Sequence, residues 1–258
     1  MGEQLVSEYF YASHTTIKKE PKEVLDRLEG TEFDGLEILA DGKHSLRKEK
    51  NRSIFLDRDN GFSISVHAPY RGINLASDNE KERKNSVKKI EQLLKDSSEI
   101  RAKYVTIHPG TISRNNGKER AWKQNLKSFK EIAEAAEKNQ IQVGVENMPE
   151  MRSILGKHYS EIFGLVDSVN NQYLNAVLDV GHANTTGQLD NFLKEKQKIN
   201  HLHLHDNFGK RDQHLAMGEG NVEISKLVKE INQMDVIKVF EARNVEEGIE
   251  SLQKIKNN

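Results

Sequence analysis

The feature that most constrains the fold is a regular alternation of strand-like and helix-like segments along the chain. Eight segments show apolar runs or the two-residue alternation of strands, at residues 5–13, 33–39, 62–68, 102–108, 141–147, 174–180, 199–206 and 236–242. Between them, apolar residues recur with helical spacing at residues 21–30, 79–100, 118–139, 159–170, 191–197, 224–232 and 245–256. Only the connection at 44–52 has a weak helical pattern. Strands that alternate with helices form parallel βαβ units, so eight of them predict an α/β fold, a closed (β/α)8 TIM barrel.

The length agrees with one such barrel, because TIM barrels typically need about 250 residues and this chain has 258. No linker, low-complexity segment or change in composition marks a second domain, so we expect a single domain over residues 1–258. No stretch approaches the roughly 20 apolar residues of a membrane span, and the N-terminus lacks a signal-peptide pattern. A cytoplasmic protein without membrane association is therefore expected.

Charge and cysteine content limit the chemistry that the chain can perform. The sequence has 39 Lys and Arg against 40 Asp and Glu, so net charge gives no general case for binding nucleic acid or an anionic membrane. It contains no cysteine, which excludes disulfides and thiolate catalysis. Any metal ion must therefore be held by nitrogen and oxygen ligands.

Ionisable side chains stand where the predicted strands end. His67, His108, Glu146, Asp179 and Glu241 each lie at the carboxyl end of a different strand. TIM barrel enzymes place their chemistry at that end of the barrel. One such histidine is easily a hydrogen-bonded turn residue, but several strands with the same pattern indicate a shared site. Carboxylates that converge there repel one another unless their pKa values rise sharply or a cation lies among them, and a metal is the simpler explanation.

The segment 201–220, HLHLHDNFGKRDQHLAMGEG, is unusually rich in histidine. His201, His203 and His205 alternate with leucines, so they share one face of a strand. Asp212 and His214 follow in a glycine-containing loop, and their Asp-x-His spacing places both side chains on one side of an extended segment. This concentration suggests either a metal site or a polar channel lined with hydrogen bonds.

The motifs HAPY, HPG, VEN, LDVGHAN, HLHD, DQHLAMGEGN and FEA follow one another within residues 33–242. In this order they resemble the xylose isomerase-like TIM barrel superfamily (AP endonuclease family 2), which includes sugar isomerases and epimerases and the DNA-repair enzyme endonuclease IV. The resemblance to endonuclease IV implies a zinc centre in which every ligand type has a counterpart here. The implied ligands are His67 and His108 for one ion, Asp179, His203 and Glu241 for a second, Glu146 between these two, and His182, Asp212 and His214 for a third.

The resemblance to the isomerases and epimerases implies a smaller metal site at the same strand ends. In those enzymes one divalent ion is held by the counterparts of Glu146, Asp179, His203 and Glu241, and the two glutamates act as acid and base. The second strand, which ends near Glu37, also resembles the sugar enzymes.

Motif register separates the histidines of the seventh strand. His203 is the implied ligand because Leu-His-Asp follows it, and His205 is the main alternative. His201 lies deeper and is expected to be a hydrogen-bonded interior residue. Tyr70 and Asn74 match the endonuclease pattern and are implied substrate contacts.

The first two loops differ from endonuclease IV. Residues 13–21 and 40–50 lack the glycine-rich segment and the aromatic or arginine-bearing segment with which that enzyme enters the DNA minor groove. In contrast, the loops at 41–52 and 109–124 carry more Lys and Arg than acid, and Lys210 and Arg211 adjoin the predicted metal loop. These basic residues suit a phosphate-bearing substrate, either abasic DNA or a sugar phosphate.

We therefore expect a metal-dependent enzyme in which Glu146, Asp179 and Glu241 are catalytic. The size of the ligand set favours phosphoester hydrolysis at a multi-metal centre, with two or three zinc ions and with manganese or magnesium as alternatives. Isomerisation or epimerisation of a sugar or sugar phosphate with one ion is the alternative. A non-catalytic binding barrel fits least well, because the carboxylate set is complete. No obligate protein partner is evident from the sequence.

Overall fold

The structure, a computed structural model, describes residues 8–57, 61–113 and 117–258, and within these the strands form a closed parallel barrel in chain order. The strands are β1 (Tyr9–Ala12), β2 (Gly35–Leu39), β3 (Ser63–His67), β4 (Tyr104–Ile107), β5 (Gln142–Glu146), β6 (Leu174–Asp179), β7 (Ile199–Leu204) and β8 (Ile237–Phe240). The α-helices are α1 (Pro21–Leu28), α2 (Glu49–Leu56), α3 (Glu80–Glu99), α4 (Lys118–Lys138), α5 (Tyr159–Val169), α6 (Val180–Thr186), α7 (Leu189–Lys194), α8 (Ile224–Ile231) and α9 (Val245–Lys256). The predicted TIM barrel is confirmed. The part of the predicted first strand before residue 8 lies outside the described residues.

Local sequence signals explain where the main helices begin and which face they bury. Pro21 opens α1, where its fixed φ suits the first helical turn. The Asn79 side chain caps α3 by accepting hydrogen bonds from the backbone N–H groups of the first turn. In α4, Phe129, Ile132 and Ala136 recur at helical spacing and are fully buried. The helices thus cover the outer face of a barrel whose strands are buried on both sides.

Two connections differ from the sequence-based expectation. The weak second crossover contains α2, whose buried side chains are only Asn51 and Phe55, so its apolar face is too narrow to give a clear periodic pattern. After β6 the chain enters α6 without a loop, because Asp179 is its N-cap and accepts a hydrogen bond from the His182 backbone N–H at 2.6 Å. This turn brings His182 to the same end of the barrel as Asp179.

The barrel interior contains both apolar and polar side chains. Phe10, Ala12 and Val239 form a small apolar cluster separate from the main core. Elsewhere inside the barrel, the His201 ring stacks on Tyr104 with ring centroids 4.6 Å apart. Gly144 makes room for this pair, because a Cβ there would lie 2.3 Å from the Tyr104 hydroxyl oxygen.

Candidate metal centre

Three clusters of ionisable side chains meet at the carboxyl ends of the strands. The first cluster consists of His67, His108 and Glu146. Nε2 of His67 lies 3.2 Å and Nε2 of His108 lies 2.9 Å from Oε2 of Glu146. The two imidazole rings meet edge to face with centroids 4.8 Å apart, and Glu146 is 1% exposed. One nitrogen from each histidine and one carboxylate oxygen thus point to the same small volume.

The second cluster consists of Asp179, His203 and Glu241. Strand register sets Asp179 directly beside His203, because the two residues are partners in the β6–β7 pairing. Nδ1 of His203 lies 3.2 Å from Oε1 of Glu241 and 3.9 Å from Oδ2 of Asp179. The same nitrogen lies 3.0 Å from Oε1 of Glu146, so Glu146 adjoins the first two clusters. Oδ2 of Asp179 is buried without a hydrogen-bond partner among the described residues, which fits a ligand atom.

The third cluster consists of His182, Asp212 and His214. Nε2 of each histidine lies 3.3 Å from Oδ2 of Asp212. The His214 backbone has a φ of 48°, in the left-handed region that only a few per cent of non-glycine residues adopt. Nδ1 of the His214 ring lies 3.4 Å from Oε2 of Glu241. Glu241 therefore adjoins the second and third clusters.

The carboxylates keep the histidines of the third cluster protonated in the absence of an ion. Burial would lower the pKa of His182, but Asp179, Asp212 and their neighbours outweigh it and raise the pKa to about 10. Burial likewise opposes protonation of His214, whereas its hydrogen bond to Asp212 and the charge of Glu241 raise its pKa to about 9. At neutral pH the positive charges of these two imidazolium groups offset the charge of the carboxylates, as a bound cation would.

The residues fit a divalent metal. Burial would raise the pKa of Glu146, but His203 and His108 hold it well below its usual range, so the carboxylate is ionised. Burial has the same effect on Glu241, and His203 with other histidines lowers its pKa to about 2. Buried carboxylates and imidazoles without thiols form the nitrogen and oxygen donor set that zinc, manganese and related ions accept.

The structure gives the three histidines of β7 different surroundings. His203 lies among the carboxylates of the first two clusters, and its Nε2 is 2.8 Å from Oε1 of Glu37. Nε2 of His205 lies 3.1 Å from Oδ1 of Asp179, and its ring stacks on His214. His201 lies deeper, with Nε2 2.8 Å from Oε2 of Glu37. His203 and His205 each lie in a group of side chains that could hold a metal ion, His203 with His67 and Glu241 and His205 with Asp179 and His182, so the choice of His203 stays a prediction.

The sequence profile described as "Xylose isomerase-like TIM barrel" matches residues 25–255, nearly the whole chain. The chain belongs to this family. An uncharacterised protein of Methanocaldococcus jannaschii is 33% identical over 90% of this chain and 82% of its own length. The probable endonuclease 4 of Aquifex aeolicus is 28% identical, over 67% of this chain and 68% of its own. The crystal structure of a D-tagatose 3-epimerase-like protein superposes with a TM-score of 0.90 at 30% identity, covering 97% of this chain and 96% of that chain. This xylose isomerase-like barrel is thus similar both to proteins named endonucleases and to a structure named after an epimerase.

Family membership and motif spacing did not reveal His14, which follows β1. The His14 and His214 ring centroids lie 4.7 Å apart, and His14, His214 and Glu241 form a group that could hold one metal ion. Both its nitrogens are buried without a hydrogen-bond partner among the described residues, and burial lowers its pKa to about 4. The sequence signal for His14 is its position directly after the predicted first strand, since side chains at the carboxyl ends of barrel strands face the site.

The predicted substrate-binding residues occupy different environments in this family member. Tyr70 lines the cavity at the barrel mouth and is 49% exposed. Asn74 joins two loops, since its Oδ1 accepts from the Thr111 N–H at 2.9 Å and its Nδ2 donates to the Thr111 carbonyl at 3.0 Å. Lys210 and Arg211 are exposed and are not among the cavity-lining residues. Residues 114–116 of the basic loop 109–124 lie outside the described residues.

A cavity of about 390 Å³ opens at the candidate metal centre. Its lining includes His67, His108, Glu146, Asp212 and Glu241. Cavities of this size typically bind small molecules. In the described part of the chain, no helix is both long and apolar enough to cross a bilayer.

Proposed function

We propose that this protein is a metal-dependent phosphoester hydrolase with a multi-ion centre, loaded with zinc. The observation that supports this function best is the division of nine nitrogen- and oxygen-bearing residues into three adjoining clusters. A reaction that needs one ion, held by Glu146, Asp179, His203 and Glu241, leaves the other five residues without a role as ligands, whereas phosphoester hydrolysis commonly uses neighbouring ions to orient the phosphate.

The first cluster would hold one ion, the second cluster another, and the third cluster a further one, with Glu146 shared by the first two. Bound ions supply a hydroxide nucleophile near neutral pH and neutralise charge on the leaving oxygen. Glu37 would orient the His203 ring, because its carboxylate faces Nε2 of His203 while Nδ1 faces Glu146 and Glu241. In this proposal Glu146, Asp179 and Glu241 are the catalytic residues.

The proposed substrate is a phosphate ester. The resemblance to probable endonuclease 4 proteins makes a duplex with an abasic site the first nucleic acid to test. A sugar phosphate is the corresponding small-molecule substrate. Lys210 and Arg211 are exposed and do not line the cavity, so in this proposal they would contact phosphate outside it.

Loss of the first cluster tests the proposal. In zinc-loaded protein, His67→Ala and His108→Ala should each lower the number of bound ions and reduce hydrolysis at least about a hundredfold, because each removes an imidazole ligand. Ion content is measured by elemental analysis and hydrolysis by release of product from abasic DNA and sugar phosphates. His158→Ser is the control, since it changes an exposed histidine at the N-cap of α5 to another capping residue. Full hydrolysis in both cluster variants would refute the multi-ion reaction.

Epimerisation or isomerisation with one ion is the second candidate. It is favoured by a cavity of small-molecule size and by the similarity, at 30% identity, to a structure named as D-tagatose 3-epimerase-like. In this reaction Glu146, Asp179, His203 and Glu241 would hold the ion, while the two glutamates would move protons. Interconversion of an aldose and a ketose, or of two ketoses, that survives His67→Ala and His108→Ala would establish this alternative.

A further inference from the structure

Three successive loops form one wall of the cavity, and hydrogen bonds from a side chain and from the backbone hold them together. The Asn74 side chain joins the loop after β3 to Thr111 in the loop after β4. The Ile112 N–H then donates to the Ser153 carbonyl at 2.7 Å, and the Leu155 N–H donates to the Gly110 carbonyl at 3.2 Å. These bonds tie the loop after β4 to the loop after β5. The wall is therefore built before any ligand arrives.

This wall is apolar, in contrast to the ionisable side of the same cavity. It presents Tyr70, Ile73, Met148, Met151 and Ile154. Met151 is 55% exposed and Tyr70 is 49% exposed, although both are large apolar residues at a cavity mouth. Among the described residues that line the cavity there is no lysine or arginine. Exposed apolar surface beside a polar site commonly marks a ligand contact.

The exposed side chains have geometries suited to a ring. Tyr70 stacks on His108, with centroids 5.6 Å apart and ring planes at 10°, which fixes the orientation of its flat face. Met151 supplies an unbranched thioether, which adapts to irregular shapes and makes favourable contacts with aromatic rings. A rigid aromatic face beside an adaptable apolar chain can enclose a planar group.

We propose that this wall is a binding subsite for an apolar ring carried by the substrate, positioned while the metal centre holds the phosphate group. The inference rests on the proposed function and narrows it to small phosphate esters of ring-bearing alcohols. The cavity of about 390 Å³ has room for such a molecule beside the metal centre.

Two phosphonates that resist hydrolysis test the subsite, because they share one anionic group and differ in their apolar part. Phenylphosphonate and methylphosphonate are titrated into zinc-loaded protein and followed by calorimetry. Phenylphosphonate should bind at least about tenfold more tightly, the ratio expected if most of the ring surface leaves water. Met151→Gln and Ile154→Gln should each reduce this ratio at least about threefold without weakening methylphosphonate. Phe208→Gln is the matched control, since Phe208 is also 55% exposed but does not line the cavity.

The outcomes separate this inference from the proposed function. Equal binding of the two phosphonates by the unaltered protein would overturn the subsite and leave phosphoester hydrolysis standing. A preference for the ring that is retained in both wall variants, or lost equally in Phe208→Gln, would also overturn it. Failure of zinc-loaded protein to bind either phosphonate would overturn the proposed function together with the subsite. Thermal unfolding and zinc content of each variant verify that the fold and the metal centre are intact.

Discussion

Zinc binding should release protons, and the third cluster determines the sign and size of this effect. The pKa values of His182 and His214 are raised to about 10 and about 9 in the absence of an ion, so both imidazoles are protonated at pH 7. Asp212 carries no proton there, because the two histidines hold its pKa far below its usual range despite its burial. An imidazole binds zinc only through an unprotonated nitrogen.

Filling this cluster at pH 7 should therefore release about two protons per ion. The apparent affinity of this cluster should rise by about a hundredfold per pH unit until the pH approaches the histidine pKa values. Calorimetric titrations of zinc into zinc-free protein, in buffers with different enthalpies of ionisation, give the number of protons released. His214→Gln should release about one proton fewer than the unaltered protein.

Proton release close to zero at pH 7 would refute this reasoning, since it would mean that the histidines are neutral before the ion binds. An affinity that does not change between pH 6 and pH 8 would have the same meaning. Release that is unchanged in His214→Gln would assign the protons to other residues.

Three further predictions concern stability and ligand positioning. In zinc-free protein, protonation of the third-cluster histidines stabilises the fold fully below pH 6.5, their pKa in the unfolded chain, and this stabilisation is lost as the pH rises through their folded pKa values of about 9 to 10. Urea unfolding, followed by fluorescence of the single tryptophan, should therefore show a lower free energy of unfolding at pH 10 than at pH 7. Gly181→Ala should lower the free energy of unfolding by about 1–3 kcal/mol, because the new Cβ would lie 1.9 Å from the buried His205 ring. Gly164→Ala is the control and should be neutral or stabilising, because a Cβ there has no neighbour within 4 Å; equal effects of the two substitutions in urea unfolding would contradict this. Glu37→Gln should weaken zinc binding by about 10–100-fold, because it removes the charge that faces Nε2 of His203, and unchanged affinity in a chelator competition would exclude this positioning role.

The fold could be predicted because the periodic patterns of the chain and its packing coincide. Long amphipathic helices such as α4 bury one regular face, and their spacing is visible in the sequence. The helix α2 was not clear because one of its two buried residues is Asn51. Its side chain donates to the carbonyls of Lys43 and Ser45 at 2.6 and 2.9 Å, and a hydrogen-bonding residue leaves no mark in an apolar pattern.

The candidate site could be predicted to the extent that it follows strand ends and motifs. The structure brings the nine expected ligands together, since each lies near the carboxyl end of a strand, in the first turn of α6 or in the loop after β7. His14 directly follows the predicted first strand, but its contact with His214 could not be predicted, because it joins residues 200 positions apart and no motif links them. The apolar wall was also missed, because it depends on how three loops hydrogen-bond to one another.

The connection between clusters bears on the choice between the two candidate reactions. Glu146 contacts histidines of the first and second clusters, and Glu241 contacts histidines of the second and third. A cation bound in the second cluster would therefore partly neutralise carboxylates that face both other clusters. Groups that share partners in this way contribute to binding non-additively, because each ion fixes side chains that its neighbour also needs. A hydrolase that uses several ions needs them bound at the same time, so in that function the clusters should fill together. A one-ion epimerase gains nothing from it, so the extent to which the clusters fill together distinguishes the two functions independently of the substrate.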